Sequence, residues 1–393
     1  MRVALLWCLL TVLLCEMTGC GSRQIPPTPS TEISSATIYS AVLGNPGAIQ
    51  SYTATLSLGS LNQFGASPNT GNAPFSIAIT PSLNALFVSN NGSNTISAYS
   101  LNSGGSLTAV AGSTPTGAMP TGMATDPAGR FLFVANEASS TISVYTINGT
   151  ALQPVAGSPF TTITPGAVEP TLPTAVAVSA TGNFLYVANT FTNTVGAYSI
   201  SSSGTLSILG ASPYPVGTAP SGLGITPGGG FLYVANSGTS NVSAFAICDK
   251  VVTTCANPNI PDGTLTTVKG SPFAAGLGPI EVAADPYFPF LYVLNKQSNQ
   301  ISEYGYAAGT GVLTPLSTPS VSTGQNPLSF VIIAGATGSN AGFTTTEPKD
   351  YVYVANSGAS TLAAFTLNTT TGVLTPLGVA TDIAGQPSAV ASP

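Results

Sequence analysis

The hexapeptide FLYVAN at Phe231–Asn236 returns almost unchanged along the chain, as FLFVAN at Phe131–Asn136, FLYVAN at Phe184–Asn189 and YVYVAN at Tyr351–Asn356. Aligning on its last residue adds Asn90 and Asn295, so the element recurs at Asn90, Asn136, Asn189, Asn236, Asn295 and Asn356. Spacings of about 50 residues mark a repeat architecture. They override the two or three ordinary domains that 393 residues would otherwise suggest. A degenerate copy opens the series at Ile38–Val42 (IYSAV) and brings the count to seven.

One unit shows the grammar of all. PSGLGITP at Pro220–Pro227 leads through a Gly-rich turn into FLYVAN, then through a polar turn into NVSAFAI and, after an insertion, GTLTTVKGSP. These are four short strand-like runs punctuated by Gly, Pro and Asn, with no run of helical period and length. A four-stranded antiparallel meander cannot cover both of its faces, and packing such sheets radially does. The expected fold is therefore all-β, a seven-bladed β-propeller of four-stranded antiparallel blades spanning residues 36–393. The first copy lacks its first strand, whereas PSAVASP at Pro387–Pro393 matches the first-strand pattern of PTAVAVS at Pro173–Ser179. One blade is therefore expected to be shared between the N- and C-termini, with the last strand as the latch.

Residues 1–19 read as an export signal: Arg2 precedes an apolar run at Val3–Cys15 that is too short to span a bilayer comfortably. Met17-Thr18-Gly19-Cys20 resembles a bacterial lipobox, which makes Cys20 the expected lipidation site and the membrane anchor. Residues 20–35, polar and Pro-rich, read as a tether. Two further cysteines, Cys248 and Cys255, suit one disulfide in an oxidising compartment. The expected address is the bacterial cell envelope, periplasm or cell surface, and the expected state a monomer.

Charge and residue types narrow the activity. Only 5% of residues are charged, net charge is −6, and no basic tract exists, so nucleic acid is excluded as a partner. The chain has no His, and nothing resembles a nucleophile elbow, a phosphate loop or a metal cluster. The repeated Asn ends a strand and enters a polar turn in every unit. That marks it as structural, because a catalytic group is needed once and a turn in every blade. Departures from the repeat are more informative. At the third position of the first strand the units read Ser76, Gly122, Ala175, Gly222, Glu281, Ser329 and Ala389, and Glu281 is the one charge. A carboxylate near the propeller axis, once desolvated, is a candidate general acid or base. Glu137, Glu169 and Lys296 are candidates for the same face.

The grammar D-P-x-G-x-F-L-[FY]-V-A-N, fullest as DPAGRFLFVAN at Asp126–Asn136, resembles the YVTN-repeat propellers and the seven-bladed lactonase-like family, which includes 6-phosphogluconolactonases. The resemblance covers essentially all of residues 36–393 and implies lactone hydrolysis, with a His, usually beside an Arg, early on an inner strand. Here Thr121-Gly122 and Ser221-Gly222 stand at such positions. Glu137, directly after FVAN, is the one family-like acid. Two readings follow. The first is a lipid-anchored binding or scaffold module whose face takes an unknown ligand or protein. The second is a lactonase-like hydrolase using Glu281 and Glu137. No cofactor is expected, although the second reading leaves room for a divalent cation.

Overall fold

A computed structural model describes residues 35–334 and 349–393, apart from 57, 164, 165, 167, 252–254 and 256–259. Seven antiparallel sheets form a ring. Their inner strands are Pro387–Ala391 (blade 1), Pro74–Ile79 (blade 2), Pro120–Thr125 (blade 3), Pro173–Val178 (blade 4), Pro220–Ile225 (blade 5), Pro279–Ala284 (blade 6) and Pro327–Ile333 (blade 7). Each begins with proline, which is tolerated at the first position of a strand because no ladder donor is needed there. In blades 2 to 7 the ladder slips just after that proline, leaving the second residue outside the pairing and, in blade 3, Gly122 as well. In blades 3, 4 and 5 the displaced residue is Thr121, Thr174 or Ser221. Its hydroxyl donates to the carbonyl of the next blade's proline, Pro173 (3.3 Å), Pro220 (3.2 Å) or Pro279 (2.9 Å).

The latch is present. Pro387–Ala391 pairs antiparallel with Ser35–Val42, matching Tyr39 with Ala391 and Ala41 with Ala389, and forms the inner strand of the first blade. Closure by strand pairing removes the open seam that a ring of sheets would otherwise carry.

The core is a set of seven wedges, one at each blade–blade interface. The FLYVAN strand supplies most of each wedge and is buried along its whole length in blades 3, 4 and 5. Its aromatic positions have separate tasks. Phe231 packs against Gly311, a turn residue of blade 6, and the Tyr233 hydroxyl donates to the Gly311 carbonyl at 2.8 Å. Gly311 has φ +70°, and a Cβ there would lie 2.3 Å from the Phe231 ring, so both conformation and space require glycine. The same tyrosine-to-glycine bond links Tyr186 to Gly263 (3.0 Å) and Tyr292 to Gly372 (2.6 Å).

The asparagines close the unit differently from a simple turn. Each is buried, and its amide reaches across to the third strand: Asn136 Nδ2 donates to Thr141 (3.1 Å) and Ser143 (2.9 Å), and Asn295 Nδ2 donates to Ser302 (2.9 Å). The Oδ1 of Asn90 and of Asn356 accepts from the backbone of Gly71 (2.9 Å) and Gly324 (3.0 Å), in the segment entering the blade's inner strand. Asn therefore ties three segments together. The glycine it packs on, three residues before the inner-strand proline at Gly71, Gly117, Gly217, Gly276 and Gly324, is the other half of the device.

Among the described residues, three carboxyls are buried between blades 6 and 7: Asp285 and Asp350, hydrogen-bonded to each other, and Glu303. Glu303 is fully buried; its Oε2 accepts from Leu374 N at 3.1 Å and its Oε1 has no partner. Burial pushes its pKa up to about 7 from 4.5. Because the folded state holds this proton more tightly than the unfolded chain, the stabilisation is complete below about pH 4.5. It is lost as pH rises through 7. Thermal melting between pH 5 and 8 is expected to show stability falling, and Glu303→Gln should remove about 2–3 kcal/mol of that fall. An unchanged pH slope in the variant would contradict this assignment.

Candidate functional site

The inner strands contact one another in sequence around the ring and line its central channel. Glu281 is the only charged residue on any of them. It stands at the third position of Pro279–Ala284, opposite Leu294. The preceding blade comes close here because Gly222 has no side chain: a Cβ there would sit 2.4 Å from the Ile280 carbonyl and 2.8 Å from the Glu281 Cα. On the other side, Glu281 Oε2 accepts a hydrogen bond from Phe330 N at 2.9 Å, and the Ser329 hydroxyl bonds to the same carboxyl. Ser329 Oγ in turn accepts from Val390 N at 3.3 Å, on the latch strand. One carboxyl thus joins the inner strands of blades 6 and 7 and, through Ser329, blade 1.

Enclosure by protein dominates its electrostatics. Burial pushes the Glu281 pKa up to about 7 from 4.5, against the lowering effect of the Phe330 N–H and the Ser329 hydroxyl. The residue as a whole is partly exposed. A carboxyl of this kind exchanges its proton near neutrality, which is what a general base at physiological pH requires.

Glu137 and Lys296 occupy equivalent places in blades 3 and 6, at the end of the channel where the inner strands begin. The residue after each repeated Asn donates its backbone N–H to the residue before the inner-strand proline: Glu137 to Met119 and Lys296 to Gly278, both at 2.9 Å. Asn91, Thr190, Ser237 and Ser357 make the same bond, and together these residues form a ring around the mouth. Glu137 is half-buried, and burial raises its pKa. Glu169 is exposed, in the connection between blades 3 and 4. The structure therefore does not bring the four candidates together as one cluster. Glu137 and Glu281 sit three blades apart, and the single ion pair among the described residues is Arg130–Asp126, so Lys296 neutralises neither acid.

Ser329 and the Phe330 N–H escaped the sequence reading. Ser329 was visible there only as an unremarkable third-position residue. Its adjacency to Glu281 follows from the same position in consecutive blades, which a repeat alignment read around the ring would have exposed. Among the described residues no three acidic or cysteine side chains gather to hold a metal ion. Cys248 and Cys255 form the expected disulfide. Cys20 lies outside the described residues, as do residues 335–348 between the first two strands of blade 7.

The profile of the family described as lactonase, 7-bladed beta-propeller, matches residues 47–156, 155–252 and 248–389. No curated protein matches the chain. Solved structures do. A candidate 6-phosphogluconolactonase of Bacteroides uniformis superposes with a TM-score of 0.73 at 18% identity, covering 92% of this chain and 100% of its own. The counterpart from Bacteroides fragilis gives 0.71 at 20%, covering 93% and 99%. A periplasmic gluconolactonase of Pseudomonas aeruginosa gives 0.70 at 19%, covering 91% and 99%. At these identities the structural likeness speaks to the fold alone. The family match corrects the expectation of a binding or scaffold module: a lactonase-like hydrolase fits it better. That expectation rested on the absent histidine and nearly absent arginine, and the family match overturns it. Burial gives a carboxyl the proton affinity usually sought in an imidazole.

Proposed function

Because this chain belongs to the lactonase, 7-bladed beta-propeller family, we propose that it hydrolyses a lactone in its central channel with Glu281 as the general base. The observation that carries the reading is the Glu281 carboxyl, unique among inner strands, held by Phe330 N–H and titrating at about 7. Its ionised form takes a proton from a water as that water attacks the lactone carbonyl carbon. The tetrahedral intermediate then expels the ring oxygen, which receives the proton back from Glu281, and an open hydroxy acid leaves. Ser329 is a positioning residue that fixes the carboxyl through its hydroxyl. Glu137, at the mouth, would accept hydrogen bonds from substrate hydroxyls.

The preferred substrate is a neutral lactone. A phosphorylated one would call for clustered cations, and Lys296 is the one cation on the ring at the mouth. The test is base uptake at constant pH by the purified protein on a panel of neutral and phosphorylated lactones, with and without divalent cation. Turnover of a neutral lactone is expected. Absence of turnover across the panel would end the hydrolase reading.

The protein is proposed to act outside the cytoplasm, anchored through Cys20. The apolar leader and the Cys248–Cys255 disulfide support that address. Cells given labelled fatty acid should incorporate it into the natural protein and not into Cys20→Ala. Equal labelling of both would remove the anchor from the proposal.

A further inference from the structure

The ring of backbone bonds at the mouth is complete: in blade 1 Leu43 N donates to the Gln386 carbonyl at 2.8 Å, as the residue after the repeated Asn does in blades 2 to 7. What varies is the pair of side chains at each step. In blades 5, 6 and 7 the steps read Ser237 with Ala219, Lys296 with Gly278 and Ser357 with Asn326. In blades 1 to 4 large apolar side chains stand at or beside the ring. Leu43 is 39% exposed, Phe75 48%, Met119 42% and Phe191 52%, and Leu172 is partly buried. None of them belongs to any of the seven wedges. On the polar side Leu277, one residue outside the ring in blade 6, is the exception. Single exposed apolar residues are ordinary, but a run of them on consecutive blades around one opening marks a binding surface.

Two of these side chains do nothing for the fold. In blades 3, 4 and 5 the second residue of the inner strand ties its blade to the next through a hydroxyl. Phe75 has none, and Asn91 makes the corresponding bond instead, its Nδ2 donating to the Pro120 carbonyl at 3.3 Å. The aromatic ring of Phe75 is released from the blade joint and left exposed. Met119 precedes its inner-strand proline at φ +54°, a left-handed conformation that is an outlier for a bulky residue. Blades 6 and 7 fill that position with Gly278 (φ +63°) and Asn326 (φ +49°), the residue types that take it at least cost. Leu172, at φ +51°, repeats the choice of Met119 in blade 4. Strain kept without any gain in packing is a mark of a functional position.

Position relates this arc to Glu281. In a ring of seven, blades 2 and 3 lie opposite blade 6, so Phe75 and Met119 stand across the channel from Glu281. The carboxyl itself is held on the side of blades 6 and 7, where the ring is polar. A lactone whose carbonyl meets Glu281 has the apolar arc before any substituent that extends to the far side of the mouth. Glu137 is the one ionisable group of the ring on this arc, and its acidity disfavours an anionic substituent there.

Resting on the hydrolase reading, we propose that the arc of Leu43, Phe75 and Met119 binds an alkyl or acyl chain of the substrate, which makes the substrate an alkyl-bearing lactone. The ring of the lactone sits at Glu281 and the chain lies over the arc. Contacts to a chain remote from the reacting carbonyl are alike in the ground and transition states, so they act on KM rather than kcat.

The test measures kcat and KM of the purified protein on γ-butyrolactone, γ-octalactone and γ-decalactone. Calorimetry on butyl- and hexyl-substituted cyclopentanones, which cannot be hydrolysed, reads binding without turnover. Both kcat/KM, through KM, and the cyclopentanone affinity are expected to rise about fourfold for every two methylenes added, the figure for half-buried methylenes. Phe75→Thr and Met119→Asn install the residue types that blades 3 and 7 carry at these positions, so each has a precedent in the fold. In the double variant the gain should shrink to about twofold or less. Leu277→Ser, on the polar side, should leave the gain intact. Turnover of γ-butyrolactone with no gain from the chain would overturn this proposal and leave the hydrolase reading standing. Chain-dependent binding of the cyclopentanones without turnover of any lactone would keep the arc as an alkyl-chain site and end the hydrolase reading. A gain that survives in the double variant would overturn the proposal. So would a wild-type dimer that the double variant separates into monomers, because a second copy of the chain would then cover the arc.

Discussion

Removing residues 385–393 is expected to lower the stability of the whole propeller on the order of 5 kcal/mol. The segment carries the inner strand of blade 1, paired with Ser35–Val42. It also packs against the inner strands of blades 2 and 7. Ala389 and Val390 lose their burial, and Ala41 and Ile38 lose their cover. At about 1.5–3 kcal/mol for each large apolar side chain returned to water, plus smaller terms for alanine, the apolar loss reaches that figure before the ladder is counted. The N–H and C=O groups of Ser35–Val42 then become a free edge, and a free edge invites pairing between molecules. The truncated protein should melt roughly 10 °C lower and sediment partly as aggregate. Melting at the wild-type temperature would mean that the ring does not depend on its latch. Ser329 adds a functional consequence, because its Oγ accepts from Val390 N on the lost strand. Truncation should therefore disturb Glu281 even at temperatures where the remaining blades stay folded.

Substituting Glu281 should have the largest effect on activity. Glu281→Ala removes the proposed base and is expected to lower kcat/KM by about 10²–10⁴-fold. Glu281→Gln keeps the acceptor for Phe330 N–H, and so the fold, without the proton affinity, and should be nearly as inactive. That pair separates chemistry from architecture: an active Gln variant would reduce Glu281 to a bridge between blades. In the proposed mechanism the working form of Glu281 is ionised, so kcat/KM of the wild-type protein should rise with pH through about 7 and then level off. Ser329→Ala should shift that midpoint upward, because the hydroxyl stabilises the ionised carboxyl. A merely structural serine would change stability without moving the midpoint. Glu137→Ala should raise KM more than it lowers kcat if this residue only holds substrate at the mouth.

The repeat determined the architecture by itself. A six-residue strand returning every 46 residues or more, between Gly- and Pro-rich turns, leaves few ways to bury both faces of each meander. The first-strand pattern at the C-terminus identified the latch for the same reason. Glu281 also stood out in the sequence, because a charge that breaks a repeat is visible wherever the repeat is. Tertiary structure decided which residues meet across blades. Ser329 and Phe330 reach Glu281, and the tyrosine hydroxyls reach glycines about 80 residues away. None of these pairings is written in a local pattern, since each partner belongs to a different repeat. The proton affinity of Glu281 is likewise a property of its surroundings: the chain supplies a carboxyl, and only the ring desolvates it.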